Sequence, residues 1–356
     1  MATPVPALGR RARIVRRWSG LPSGLRHLGV AVVALVPLVV LADGLSRYRD
    51  FQLSEIGAYA VVVAGLTVLT GRNGQISLGH GALMAVGAYA TAVLLRHAHL
   101  PLVVVLLGAT ASGAVFGAAV GVVAARLRGP YLAGATLALA VGLPQIPKAY
   151  RYLGRDQGLT IDPPLPPGWL GPDFPLERWT AYLCIIAAVV VMMLLANLVH
   201  SRFGREFAAV RDDEIAASLA GIPVARTQVV AFVVSAACAG LGGGLLALAL
   251  PTVGPGGFTL TLSIQLLVAI VIGGMGSLSG AVLGAVLLVF LPGWSDSVAG
   301  GLHLSEHVAA NLSLGIYGAV LILVMLSFPS GLAGLARRLR FAAASALDRR
   351  GGGGLL

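Results

Sequence analysis

Between residues 28 and 328 the chain is one apolar run after another. The runs lie at about 28–42, 52–70, 81–95, 100–125, 131–146, 179–200, 229–250, 262–275, 278–291 and 311–328. Runs of this kind have few stable homes. In hydrocarbon every backbone N–H and C=O must find a partner within the protein, which leaves the helix and the closed barrel. Helical spans need about 20 apolar residues, and the longest of these runs reach that length. The predicted fold is therefore all-α: a polytopic membrane protein with about ten transmembrane or half-spanning helices. Several runs fall short of that length, so half-helices or re-entrant segments are expected among them. Composition agrees, with 57% apolar and 11% charged residues against about 25% charged in soluble domains. Little remains for a soluble domain.

Glycine, at 48 of 356 residues, is the second constraint. Small residues let membrane helices approach backbone to backbone. Three stripes carry them at four-residue spacing, which keeps them on one helix face: Gly113, Gly117 and Gly121; Ala236, Gly240 and Gly244; Gly276, Gly280 and Gly284. Close helix packing is expected at each. Cys184 and Cys238 fall inside apolar runs and read as buried thiols that say nothing of redox compartment.

The net charge of +11 invites a nucleic-acid reading, and its distribution argues against one. Arginines cluster in a basic arm, 1–27, and in a glycine-ended tail, 336–356, flanking a membrane domain at 28–335. A basic segment before an apolar run also fits a signal peptide, but no clear small-residue cleavage pattern follows. Ten spans put both termini on one side. Most of the 25 Lys and Arg fall on that side: the arm, Arg72, Arg126, Arg128, the 201–228 loop and the tail. The positive-inside rule makes it cytoplasmic. The proline-rich stretch 147–178 then faces outward, and 294–307 is expected to lie on the membrane surface. The expected home is the plasma membrane of a bacterium, with membrane lipid as a partner and no nucleic acid.

Residues 201–228, SRFGREFAAVRDDEIAASLAGIPVARTQ, are too charged for hydrocarbon and form a cytoplasmic loop. Their middle reads as a short capped helix. Asp212 can act as N-cap, with Asp213 and Glu214 in the first turn, where the helix dipole favours anions. Gly221 closes it and Pro223 stops it. Ile215, Leu219 and Ile222 make one apolar stripe. Something must cover that stripe: the protein's own spans, lipid headgroups, or a partner's groove. Ile215-Ala216-Ala217-x-x-x-Gly221 resembles the "EAA" loop by which ABC importer permeases dock onto their ATPase. Arg211-Asp212-Asp213-Glu214-x-Ala-Ala-x-x-x-Gly-Ile resembles more closely the branched-chain amino acid permease family of the LivM type. The acid stands one place early, and the Ile-x-Leu-Pro of the wider loop is missing.

Two further stretches match that family in the same order. In 71–90, GRNGQISLGHGALMAVGAYA, Asn73, Gln75, Ser77 and His80 interrupt an apolar run among Gly71, Gly74, Gly79 and Gly81. Such a segment is either an ordinary cytoplasmic loop or unwound backbone lining a cavity, where free N–H and C=O groups hold polar solutes. The segment through Tyr89 looks like the most distinctive motif of LivM-type permeases, and the resemblance implies a broken helix bordering the translocation path. A lone His beside glycines, with no metal partner near, reads as a packing or hydrogen-bonding residue. Ile272-Gly-Gly-Met-Gly-Ser-Leu-Ser-Gly-Ala-Val-Leu-Gly-Ala285 resembles the family's GGxGSxxGxxxGA signature. There Gly273, Gly274 and Gly276 permit a tight reversal, and with Ser277 they are expected to border the translocation path. Gly129-Pro130-Tyr131 with Thr136 resembles the start of a pore span. Arg155-Asp156-Gln157 departs from the family's glycine-rich external motif.

The resemblance implies a permease subunit of an ABC importer for branched-chain amino acids or related small polar solutes such as urea and short amides. It implies a second, related permease subunit, two ABC ATPase subunits and an external solute-binding protein. The chain itself holds no Walker A loop, because its only lysine, Lys148, follows Pro147 without the glycines such a loop needs. No cofactor is expected on this chain; ATP and Mg²⁺ belong to the partner ATPases. An ion-coupled secondary carrier is the rival. Proton relays use acids or histidines within the spans, and the spans here carry almost none, although sodium sites can use backbone carbonyls. An intramembrane enzyme would need a spaced nucleophile–base or metal set, which the sequence lacks. A passive channel would transport without an ATPase.

Overall fold

The computed structural model describes residues 44–97, 100–127, 130–171, 173–300 and 331–335, with isolated positions in 29–37 and 312–327. The basic arm, the first and last apolar runs and the tail fall largely outside the described residues.

The described chain is helical nearly throughout. In order, the helices are α1 (Arg47–Leu66), continued as a π-helical turn (Thr67–Arg72); α2 (His80–His97); α3 (Leu102–Ala124); α4 (Pro130–Gly142); α5 (Gln145–Ala149); and α6 (Leu176–His200). They continue with α7 (Arg202–Asp212), α8 (Glu214–Leu219), α9 (Val224–Ala249), α10 (Leu260–Gly273) and α11 (Leu278–Gly300). Among the described residues six helical segments are long and apolar enough to cross a membrane: 47–72, 102–124, 176–200, 224–249, 255–273 and 278–298. The expected all-α polytopic architecture is what the structure has. Proline marks the helix starts: Pro101, Pro175 and Pro223 stand at the N-caps of α3, α6 and α9. There the missing N–H costs nothing. Helix α4 has 13 residues and α10 has 14. At 1.5 Å per residue each reaches only about 20 Å, and α10 attains spanning length together with the turn before it, over 255–273. Helix α4, short of a hydrocarbon core of about 30 Å, is a half-spanning piece.

Helix α9 is the centre of the bundle, and Gly242, Gly243 and Gly244 show why. Successive residues point about 100° apart around a helix, so three adjacent glycines open three directions. A Cβ on Gly242 would stand 2.8 Å from the Ala58 carbonyl of α1, one on Gly243 would strike the Met84 carbonyl of α2, and one on Gly244 would stand 2.8 Å from Ala109 of α3. The first two small-residue stripes pack against each other. A Cβ on Gly113 would sit 2.5 Å from the Ala236 carbonyl, and one on Gly240 2.5 Å from that of Ala109. The third stripe is shorter than expected. Gly280 and Gly284 press α11 onto Gly273 and Ala269 of α10, but Gly276 lies in the turn before α11, against Gly71.

Contacts between loops sort them into two ends. At one, β1 (Leu159–Thr160) pairs antiparallel with β2 (Thr252–Val253), Arg178 reaches the buried Asp50 at 3.4 Å, and His97 stacks on Tyr152. At the other, Arg211 bonds the Gly71 carbonyl at 3.0 Å, and Gly71 packs on Gly276. This alternation matches the loop order expected from ten spans over every described crossing.

Four boundaries differ from expectation. The run 131–146 is broken at Leu143–Pro144 into α4 and α5. The stretch 147–178 holds short 3₁₀ turns and β1 instead of open loop. The surface segment expected at 294–307 begins as a continuation of α11, which runs through Pro292 to Gly300; the remainder lies outside the described residues. The charged loop 201–228 is mostly helix, and α9 starts within it at Val224.

Candidate functional site

The charged loop folds as an elbow of two helices. Ser201 caps α7, its Oγ accepting from the Phe203 N–H at 3.2 Å. Phe207 and Val210 are buried and seat α7 on the bundle. The chain breaks at Asp213, in extended conformation, and Asp213 rather than Asp212 is the cap of α8. Its Oδ1 accepts from Ile215 N–H at 2.8 Å and Ala216 N–H at 3.0 Å. Asp212 ends α7 and pairs with Arg211 at 2.7 Å. The N-cap needs a non-helical backbone, and only the residue at the elbow has one. At the far end Gly221 takes φ +81°, a conformation that favours glycine. Ile222 N–H reaches the Ala217 carbonyl and Gly221 N–H the Ser218 carbonyl, each at 3.0 Å, the bonding of a Schellman motif. Ala217 faces inward and is buried, while Ile215 is 74% and Leu219 84% exposed. The protein's own described spans do not cover the stripe.

The stretch 74–79 is non-helical between the π-turn, which ends at its cap Asn73, and α2. Asn73, Gln75, Ser77 and Gly79 are buried there, while Gly74 and Ile76 are exposed. His80 accepts and donates between two hydroxyls, Ser77 Oγ at 3.0 Å from Nδ1 and Ser235 Oγ at 2.7 Å from Nε2. Leu78 N–H donates to Thr136 Oγ1 at 3.0 Å, and Gly81 N–H to Ser263 Oγ at 3.0 Å. The unwound backbone is thereby fastened to α4, α9 and α10. His80 is a structural hydrogen-bonding residue. Asn73 differs: it is 3% exposed, and neither its Oδ1 nor its Nδ2 has a partner among the described residues. Gln75 Oε1 is likewise buried without one. Buried unpaired amides are costly, and each calls for a reason.

The two stretches meet. Arg211 Nη1 donates to the Gly71 carbonyl at 3.0 Å, and a Cβ on Gly74, at φ +83°, would stand 3.0 Å from the Arg211 side chain. Between them opens a cleft of about 500 Å³, lined on one side by Asn73, Gly74, Gln75 and Ile76 and on the other by Val210, Arg211, Asp212, Asp213 and Glu214. The turn carrying Gly273, Gly274, Gly276 and Ser277 lies beside it through Gly276 and Gly71. The remaining residues singled out by sequence are elsewhere. Tyr131 is 76% exposed on α4, and Tyr89 is buried in α2 with its hydroxyl unpaired among the described residues. Ser235, Ser263 and Gln228 were missed. The first two are hydroxyls inside apolar runs, the pattern that marks intramembrane polar residues as purposeful. Gln228 holds Glu214 at 2.8 Å.

Comparison with known proteins covers the same region. The model of a family described as branched-chain amino acid transport system / permease component matches residues 49–325. The chain is 30% identical to the high-affinity branched-chain amino acid transport system permease protein LivM of Salmonella typhimurium, over 78% of this chain and 68% of the relative. It is 29% identical to the corresponding permease protein BraD of Pseudomonas aeruginosa, over 78% of this chain and 91% of the relative. It is 28% identical to a probable ABC transporter permease protein, y4mJ, of Sinorhizobium fredii, over 84% and 93%. No solved structure matches.

Proposed function

The chain belongs to the family of branched-chain amino acid transport permease components, and from that premise we propose that it is a permease subunit of a bacterial ABC importer. Its solute is a branched-chain amino acid or a related small polar molecule. Residues 28–335 form the permease domain in the inner membrane, with both termini cytoplasmic. A second related permease, two ATPase subunits and an external solute-binding protein complete the complex. ATP and Mg²⁺ act on the ATPase subunits alone.

The observation that carries this reading is the exposed stripe of α8. A six-residue helix is too short to hold itself in water. Here a side-chain cap, a Schellman closure and the buried Ala217 hold it while Ile215 and Leu219 stay uncovered. An apolar pair presented on a rigid element at a charged surface suits a partner's groove. The residues assigned to ATPase coupling are Arg211, Asp212, Asp213, Glu214, Ile215, Ala216, Ala217, Leu219 and Gly221. The unwound segment and the 273–277 turn would border the solute path, and the Arg211–Gly71 bond joins the two. The doubly altered Asp213→Ala, Gly221→Leu protein is expected to insert in the membrane yet fail to co-purify with the ATPase and lose ATP-driven uptake. Undiminished ATPase capture by that protein would remove the docking role.

A further inference from the structure

We propose that the cavity between the first turns of α7 and α9 is a binding site for the phosphate of an anionic membrane phospholipid. The site lies outside the proposed solute path and the exposed stripe of α8, and it stands whether or not the chain imports a solute. Only the leaflet, the cytoplasmic one, follows from the orientation proposed above.

The cavity measures about 160 Å³, and Arg202, Phe203, Glu206, Arg226, Thr227 and Val230 line it. That is below the roughly 300–1,000 Å³ of drug-sized sites, and it suits a headgroup phosphate. An anion is favoured there for three reasons. Helix α9 opens without a side-chain cap and without an acid in its first turn. Its leading N–H groups and the positive end of its dipole therefore stay available at the wall formed by Pro223, Arg226 and Thr227. Two arginines face one carboxylate. Arg202 gives its Nε to Glu206 at 2.8 Å and keeps its Nη groups for a second acceptor. Arg226 has no carboxylate within ion-pair distance among the described residues, and a guanidinium fork matches phosphate oxygens. The third reason is Thr227. It is 3% exposed, and its Oγ1 has no partner among the described residues. Thr67 and Thr136 return their hydroxyls to the carbonyl four residues back, at Val63 and Leu132. Thr227 leaves that bond unmade. It keeps a buried donor at the cavity, a cost that a bound acceptor removes.

A lipid suits the cavity better than a free anion or an acidic side chain of a partner. Two spans meet there: α7 follows α6 at His200, and Val230 lies within the span 224–249. The cavity thus reaches the depth at which headgroups give way to acyl chains. Phe203 is exposed at its rim, a side chain suited to that boundary. Ile186, Val190 and Leu194 form an exposed apolar row along α6, where an acyl chain can lie. Basic pockets between spans at the cytoplasmic surface hold anionic headgroups. Phosphatidylcholine offers the same phosphate with a cation beside it, which the arginines repel.

The test uses the purified full-length protein in phosphatidylcholine nanodiscs, with and without phosphatidylglycerol. Phosphatidylglycerol is expected to raise the unfolding midpoint by about 5 °C. Arg226→Gln and Thr227→Val should each remove most of that rise. Arg205→Gln alters an exposed arginine of α7 outside the cavity and should keep it. In phosphatidylcholine alone Thr227→Val should melt no lower than the unaltered protein, because it removes an unbonded hydroxyl. Should a variant fail to fold, phosphatidylglycerol carrying a diazirine beside its glycerol answers on the unaltered protein, with adducts expected within 202–206 and 226–230. Equal midpoints in the two lipids, an equal loss from Arg205→Gln, or adducts confined to other segments overturns the proposal. Inorganic phosphate in phosphatidylcholine discs should give no rise; a rise matching that of the lipid would make this a free-anion site and overturn the lipid assignment. Loss of ATPase capture by Arg226→Gln in phosphatidylcholine alone would give the cavity to the partner and overturn it as well.

Discussion

At single positions the structure turns on what a side chain would do to a neighbour's backbone. Gly240 meets the backbone of Gly113 and the Ala109 carbonyl, whereas Gly134 has nothing within 4 Å of where its Cβ would be. Gly240→Leu should destabilise the protein by about 3 kcal/mol, the upper end of overpacking costs. Gly134→Leu should be nearly neutral. Thermal unfolding midpoints of the two variants in detergent check this pair. The cap of α8 makes a second contrast. Asp213 accepts two backbone N–H bonds and Asp212 none. Loss of such a cap costs about 1 kcal/mol, so Asp213→Ala should speed amide exchange across Glu214–Leu219 roughly fivefold, while Asp212→Ala leaves it within error. Sequence could limit the cap to neighbouring acids. Which one caps depends on where the backbone leaves the helical region, and that is set by α7 seating itself through Phe207 and Val210.

Among elements, the α7–α8 elbow and the unwound segment are best understood as one unit. Either stretch is legible alone: charges and capping residues mark the first, glycines and amides in an apolar run mark the second. Their junction was not legible, because Arg211 and Gly71 are far apart in the chain and meet only when α1 and α7 are both packed. Exposed surface substitutions usually move stability by no more than about 0.5 kcal/mol. Ile215→Ser with Leu219→Ser is therefore expected to leave the unfolding midpoint within a degree or two while abolishing ATPase co-purification. A fall in the midpoint with co-purification retained would mean that the stripe packs within this chain. At the opposite end the pair Asp50–Arg178 joins the starts of α1 and α6, with Asp50 fully buried and Arg178 partly exposed. Breaking a buried pair costs about 3–5 kcal/mol, less here because Arg178 keeps contact with solvent. Asp50→Leu should lower stability by about 2 kcal/mol, read by the same melts.

For the whole molecule the central question is where the work comes from. The permease reading requires a motor outside this chain. Purified protein alone in liposomes should not concentrate leucine on a proton or sodium gradient; the complex with its ATPases, second permease and binding protein should do so on adding ATP. Accumulation by the chain alone would replace the importer with an ion-coupled carrier. The apolar runs, their glycine stripes and the order of their loops were enough to set the fold class and the alternation of ends, since each depends on local composition or on spacing along one helix, while the family was legible only through the resemblance of three ordered motifs. Those properties are carried by every residue's own transfer cost and by the helical repeat. What the tertiary structure decided was which polar groups find each other. His80 with Ser235, Leu78 with Thr136, Asn73 with no partner among the described residues, and Arg211 with Gly71 are outcomes of helices crossing at particular glycines. A one-dimensional pattern carries the face a residue occupies but not the residue it will face.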